Sequence, residues 1–160
     1  MSVPDLIPIR HEPHYRTASI GRWDRGQFFA HVTGVFMGRE GGDCGRPVKR
    51  WYAVLHEFDE SGRHIDSTIE ATGTVPDGPE KMPVVAAARE LLDGWLGALP
   101  GRKFGDIKIA PFAEHCEGVL FGLVLECHGE YAEGEEQDDW AEFYPNRLGF
   151  SAPWDGSCDT

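Results

Sequence analysis

Hydrophobic and polar positions fall into two periods along the chain, and the clearest pattern lies between Arg50 and Gly73. Trp51 to Phe58 is a run of strand-favouring residues broken only by His56 and Glu57. Ile65 to Thr72 instead alternates, with Ile65, Ser67, Ile69 and Ala71 against Asp66, Thr68, Glu70 and Thr72. The first reads as a central strand and the second as a half-buried one. Between them, Asp59-Glu60-Ser61-Gly62 has Asp where a type I turn takes a side-chain acceptor and Gly where the chain turns left-handed, a hairpin with a bulge. With Asp59 opposite Arg63, Trp51, Ala53 and Leu55 are expected to share a face with Ile65, Ile69 and Ala71.

Upstream, prolines 4, 8 and 13 predict an extended arm over residues 1–19. Ser19 to Trp23 reads as a short strand. Gln27 to Met37 is a longer strand, apolar on both faces and therefore central, with Gly34 as a place for a bulge or for another side chain, a Trp, to lie on the strand. Gly38 to Lys49 is glycine-rich and basic, and reads as a loop joining two strands.

Downstream, Val84, Val85, Ala88, Leu91, Leu92, Trp95, Leu96 and Leu99 recur at helical steps, predicting an amphipathic helix from Pro83 to Leu99 that Pro100-Gly101 ends. Gly94 and Gly97 imply a close approach to a neighbour or a frayed last turn. Asp106–Phe112 and Val119–His128 read as a second hairpin, turning at Glu117-Gly118 with Cys116 facing Val119. The aromatic, proline-rich tail from Phe143 reads as irregular chain docked on the sheet. These elements predict a single α+β domain over residues 1–160: a mainly antiparallel β-sheet of about five to six strands, one helix packed on one face, and an acidic loop at 129–142.

Composition sharpens this picture in one respect. Of 160 residues, 41% are hydrophobic and 11% aromatic, as expected of a folded globule. The net charge of -12 is unevenly placed: residues 1–108 hold 14 Lys and Arg against 15 Asp and Glu, whereas residues 109–160 hold Arg147 against 12 acids. Eight of those acids fall between Glu126 and Glu142. Such a surface repels nucleic acid and anionic membranes and attracts basic proteins. The start of the chain has no signal-peptide pattern, no apolar run is long enough for a membrane helix, and Cys44, Cys116, Cys127 and Cys158 read as free thiols, so the expected location is cytoplasmic.

The leading functional expectation is therefore a non-catalytic regulatory or inhibitory (immunity-type) protein that binds a basic protein partner through its acidic C-terminal third, with Glu133, Glu135, Glu136, Asp138 and Asp139 as contact residues. No cofactor, metal or catalytic residue is assigned. The alternative is a small enzyme or metal-binding protein in which His31, His56, His115 and His128 converge with Cys116 and Cys127, although adjacent residues of a strand offer only one ligand to a given side. His11 and His14 are separated by Pro13, which opposes a helical metal pair, and the acidic run lacks the spacing of an EF-hand. The loop around Arg39, Arg46, Lys49 and Arg50 offers an anion site built on backbone N–H groups and guanidinium, without P-loop spacing. Nucleic-acid binding through the same residues is opposed by the overall charge.

Several phrases carry a family resemblance: Ile7-Pro8-Ile9-Arg10-His11-Glu12, Ile20-Gly21 with Gly26-Gln27-Phe28-Phe29, Arg50-Trp51-Tyr52-Ala53-Val54-Leu55-His56 with Phe58-Asp59, Tyr144-Pro145, and Ala152-Pro153-Trp154-Asp155-Gly156 with Asp159-Thr160. In these the chain resembles a group of small acidic actinobacterial proteins often labelled formate hydrogenlyase regulatory protein. The resemblance spans most of the chain and brings no catalytic residues with it.

Overall fold

The hairpin read from the sequence forms, with its first strand inside the main sheet and its second at the edge of that sheet. In the computed structural model, which describes residues 3–126 and 139–159, the chain runs β1 (Ile7–Ile9), β2 (Ile20–Trp23), β3 (Gly26–Arg39), β4 (Pro47–Phe58), β5 (His64–Pro76), α1 (Lys81–Gly97), β6 (Lys103–Phe104), β7 (Ile107–Ile109), β8 (Phe112–Cys116), β9 (Val119–Glu126), β10 (Trp140–Tyr144) and β11 (Leu148–Phe150). The main sheet has the order β5-β4-β3-β2-β6, a second sheet has the order β11-β10-β9-β8, and β1 pairs with β7 in a separate ribbon. Every pairing is antiparallel. The α+β class stands, with more strands than the five to six expected.

Strand alternation gives the main sheet two apolar faces. Phe28, Ala30, Ala53 and Leu55 point to α1, where Ala88, Leu92 and Leu96 cover them. Phe29 and Phe58 point the other way, into Leu123, Ala141, Phe143, Leu148 and Phe150 of the second sheet, and the isoleucines of β1 and β7 close that core. Tyr52 and Val54 meet Phe121 on the same side. Each such Phe, Leu, Ile or Val side chain, taken fully from water, contributes about 1.5–3 kcal/mol.

The register within the central hairpin differs from the one expected. The turn forms as read, with Asp59 N–H donating to Arg63 O at 2.9 Å and the Asp59 carboxylate accepting from Ser61 and Arg63 N–H. However, Phe58 pairs with His64 and Glu57 with Asp66, so Ile65 is the extra residue of a bulge and is 54% exposed. One added residue swaps the faces of everything beyond it. Val54 thus meets Ile69 and Tyr52 meets Ala71, while Ala53 and Leu55 meet Glu70 and Thr68.

Three other expectations change. The stretch 106–112 is not one strand: Ile107–Ile109 pairs with Ile7–Ile9 of the arm, and Pro111, which has no N–H to give a ladder, separates it from β8. The β8–β9 hairpin itself forms as read, with Cys116 opposite Val119. The tail contains two paired strands, β10 and β11, rather than only irregular chain. A Cβ on Gly94 or Gly97 would meet nothing within 4 Å, so neither glycine marks a close approach. Gly34 does: a Cβ there would lie 2.9 Å from the Trp51 ring, which rests on the strand.

Candidate anion-binding cleft

The main sheet ends on one side in a step. β2 covers β3 only from Gly26 to Phe29, and Ala30 N–H makes the last such bond, donating to Ser19 O at 2.9 Å. Before Ser19 the chain leaves in turns. Successive residues of a strand direct their backbone groups to opposite sides, so the N–H and C=O of Val32, Gly34 and Phe36 face the same side as those of Ala30. There they meet no backbone partner among the described residues, while β4 continues to pair on the other side through Phe36.

A cleft of about 610 Å³ opens along this edge. His14, Tyr15 and Arg16 close one end, Lys49 and Trp51 of β4 and Arg89 of α1 lie on the helix side, and Pro145 and Asn146 of the β10–β11 turn lie on the other. Residues of both faces of β3, Val32 and Gly34 with His31 and Thr33, line it, as expected of a cleft that looks onto a strand edge.

Its electrostatics set it apart. The chain carries 27 carboxylates and 15 Lys and Arg, yet the described lining includes Arg16, Lys49 and Arg89 and no Asp or Glu. Among the described residues none of the three is held in an ion pair, whereas Arg10, Arg46, Arg50, Lys81 and Arg147 are. A second cleft, of about 350 Å³ beside β1 and β7, has Arg10, Arg22 and Lys108 alongside Asp106 and Asp155 and is charge-balanced by comparison. Lys49 lies close enough to Asp77 to help Lys81 hold that carboxylate below its usual range, but the lining itself is cationic, and cations gathered in one cleft attract an anion.

The wall beneath the edge is rigidly wired. The Thr33 hydroxyl donates to Asn146 Oδ1, and Asn146 Nδ2 donates to His31 Nδ1 at 3.1 Å. His31 is buried between Phe29 and Phe143, with both rings edge-on to it. Desolvation pushes its pKa down to about 3. His31 therefore adds no charge to the cleft near neutral pH, and its positive potential comes from the arginines and the lysine.

The expected basic loop is largely committed elsewhere. Arg46 donates to Glu40 and Glu80, Arg50 to Thr74 and Glu117, and Arg39 to Gly45 O; of that group only Lys49 reaches the cleft. Of the arm histidines, His14 lines the cleft while His11 bonds Ala18 O and stacks on Phe104.

Of the histidines and cysteines singled out from sequence, those among the described residues do not all come together. His31 and His56 are neighbours, with ring centroids 6.3 Å apart, and His56 joins His64 through the Ser67 hydroxyl, at 2.6 and 2.7 Å. Burial, with His31 and His64 nearby, holds His56 well below the usual histidine range. His115 is exposed on β8, and Cys116 packs against the Tyr52–Phe121 cluster instead. Cys127 and His128 lie outside the described residues, among which no group of three His, Cys, Asp or Glu is placed to hold a metal ion. Of the five proposed contact acids, Asp139 is exposed just before β10, and Glu133, Glu135, Glu136 and Asp138 lie outside the described residues.

Sequence reading missed Arg16, Trp51, Arg89 and Asn146 as site residues. They come from four separate segments, and only the pairing of Gly34 with a tryptophan carried a local signal. Comparison with protein-family models, with curated proteins and with solved structures finds no match to this chain.

Proposed function

We propose that this is a regulatory binding protein whose cleft beside β3 takes an anionic ligand. The observation that carries the reading is the trio Arg16, Lys49 and Arg89, which make no ion pair among the described residues and line one cleft of a strongly acidic chain. Titration of the labelled protein with citrate at low ionic strength, followed by NMR, tests it. Amide shifts are expected to cluster on residues 14–19, 30–36 and 145–146 and to fade with added salt. In the Arg16→Gln, Lys49→Gln, Arg89→Gln triple variant affinity should fall at least about tenfold, since charge-assisted contacts contribute about 1.5–3 kcal/mol each. Unchanged affinity would remove the cleft from the account.

A second reading is favoured by the charge partition: the acidic last third binds a basic protein. Replacing Glu133, Glu135, Glu136, Asp138 and Asp139 by their amides should then weaken partner capture from the source cells and flatten its salt dependence. A cytoplasmic setting belongs to the same proposal, in keeping with free Cys44, Cys116 and Cys158; among the described residues no helix is long and apolar enough to cross a membrane.

A further inference from the structure

We propose that the anion taken by the cleft is an extended acidic peptide segment of another protein, which adds as a strand to the open edge of β3 from Val32 to Phe36. The inference rests on the anion-binding reading above and names its ligand. A small anion would need only the three cations. The strand edge offers in addition a row of backbone donors and acceptors, on Val32 and Gly34 in the cleft and on Phe36 beyond its lining, with no backbone partner among the described residues. Five residues of strand extend about 17 Å at about 3.3–3.4 Å each. That length lies in line with β2, which stops at Ile20, so the place beside β3 is the place of a missing strand.

The charges fix which peptide fits. Residues of an added strand alternate between the two faces of the sheet. On the helix side they meet Arg89, Lys49, which pairs with Phe36, and Phe36 itself, which is 56% exposed. On the other side they meet Thr33 and Asn146, which are neutral and already bonded to each other. An acidic side chain at every second position, with small or β-branched residues between, satisfies both sides. Main-chain bonds then supply affinity and alternate side chains supply specificity, as in other cases of strand addition. A second copy is a poor occupant, because edge-to-edge pairing of two β3 strands brings Arg16, Lys49 and Arg89 of one copy toward the same residues of the other. Nucleic acid would use the cations alone, since it has no main-chain amides with which to pair the edge of β3.

The test uses a synthetic pool of peptides of about nine residues, with glutamate at alternate positions and threonine, valine, serine or glycine between. Binding is read by NMR of the full chain at low salt. The expected result is slowed exchange at the amides of Val32, Gly34 and Phe36, with affinity lost by about tenfold or more when one alternate set of peptide amides is N-methylated and little changed when the other set is. The Val32→Pro variant, which removes one edge donor and leaves the β4 ladder intact, should lose the peptide and still bind citrate. If N-methylation of either set has no effect while peptide and citrate both bind, strand addition is wrong and the anion site stands. If neither citrate nor peptide binds, both readings fall. Concentration-dependent dimerisation that Val32→Pro abolishes would assign the edge to a second copy and overturn the proposal.

Discussion

The two long outer stretches of the main sheet, β5 and the far half of β3, have opposite characters. β5 is an edge strand along its whole length. It alternates in polarity, carries Asp66 and Glu70, and is bulged twice against β4, between Trp51 and Tyr52 and between Glu57 and Phe58. Acids and bulges are the devices by which proteins prevent an edge from recruiting another strand. β3 beyond Ala30 has neither from Val32 to Phe36: its register with β4 is unbroken there, it presents no acid, and three cations border it. The main sheet thus has one edge that is bulged and acidic and another that, among the described residues, has neither device nor a strand beside it.

The two edges differ in the aromatic support beneath them. Phe143 stacks on Phe29 with centroids 3.9 Å apart and stands edge-on to His31. Phe143→Ala should cost about 3–5 kcal/mol in urea unfolding, against less than about 0.5 kcal/mol for Ile65→Ala at the exposed β5 bulge. Similar losses at both would mean that the two edges do not differ in this way.

Acid should act on the same support. Above about pH 6.5 His31 and His56 are neutral in both folded and unfolded chains. As pH falls below that, the unfolded chain binds protons that the folded one refuses, until His31 titrates at about 3. Stability from this source is thus complete above pH 6.5 and is lost on acidification, by about 1.4 kcal/mol per pH unit for each histidine. In His31→Gln the slope should fall by about one proton; an unchanged slope would show that His31 is not held neutral.

The smallest effects concern glycines. Gly34→Ala puts a methyl against the Trp51 ring and should destabilise by about 1–3 kcal/mol, whereas Gly94→Ala enters open space on α1 and should stabilise by about 0.5–1 kcal/mol. Thermal melts of the pair check both signs.

What was legible in the sequence was periodic or local. The alternation of β5, the turn at Asp59–Gly62, the apolar stripe of α1, the Glu117-Gly118 hairpin and the tryptophan lying over Gly34 all depend on residues close in sequence or on a side chain that must be absent. The hairpin register failed because a bulge of one residue leaves the polarity pattern almost unchanged while reversing its meaning. β1 failed because its pattern, Ile-Pro-Ile, is too short to distinguish from an arm, and its partner lies about a hundred residues away at Ile107–Ile109. The cleft was illegible for the same reason: Arg16, Lys49, Arg89 and Asn146 look like ordinary surface residues until the topology places them at one step in the sheet, and which of the basic residues remain unpaired depends on Glu40, Glu80 and Glu117 finding the others.

The most direct measurement is amide hydrogen exchange, residue by residue, along β3 of the free protein. A period of two is expected: fast exchange at Val32, Gly34 and Phe36, whose N–H groups face away from β4, and slow exchange at His31, Thr33 and Val35, which face β4. Uniformly slow exchange from His31 to Phe36 would show that the edge is already covered, and the cleft would then have no strand to offer.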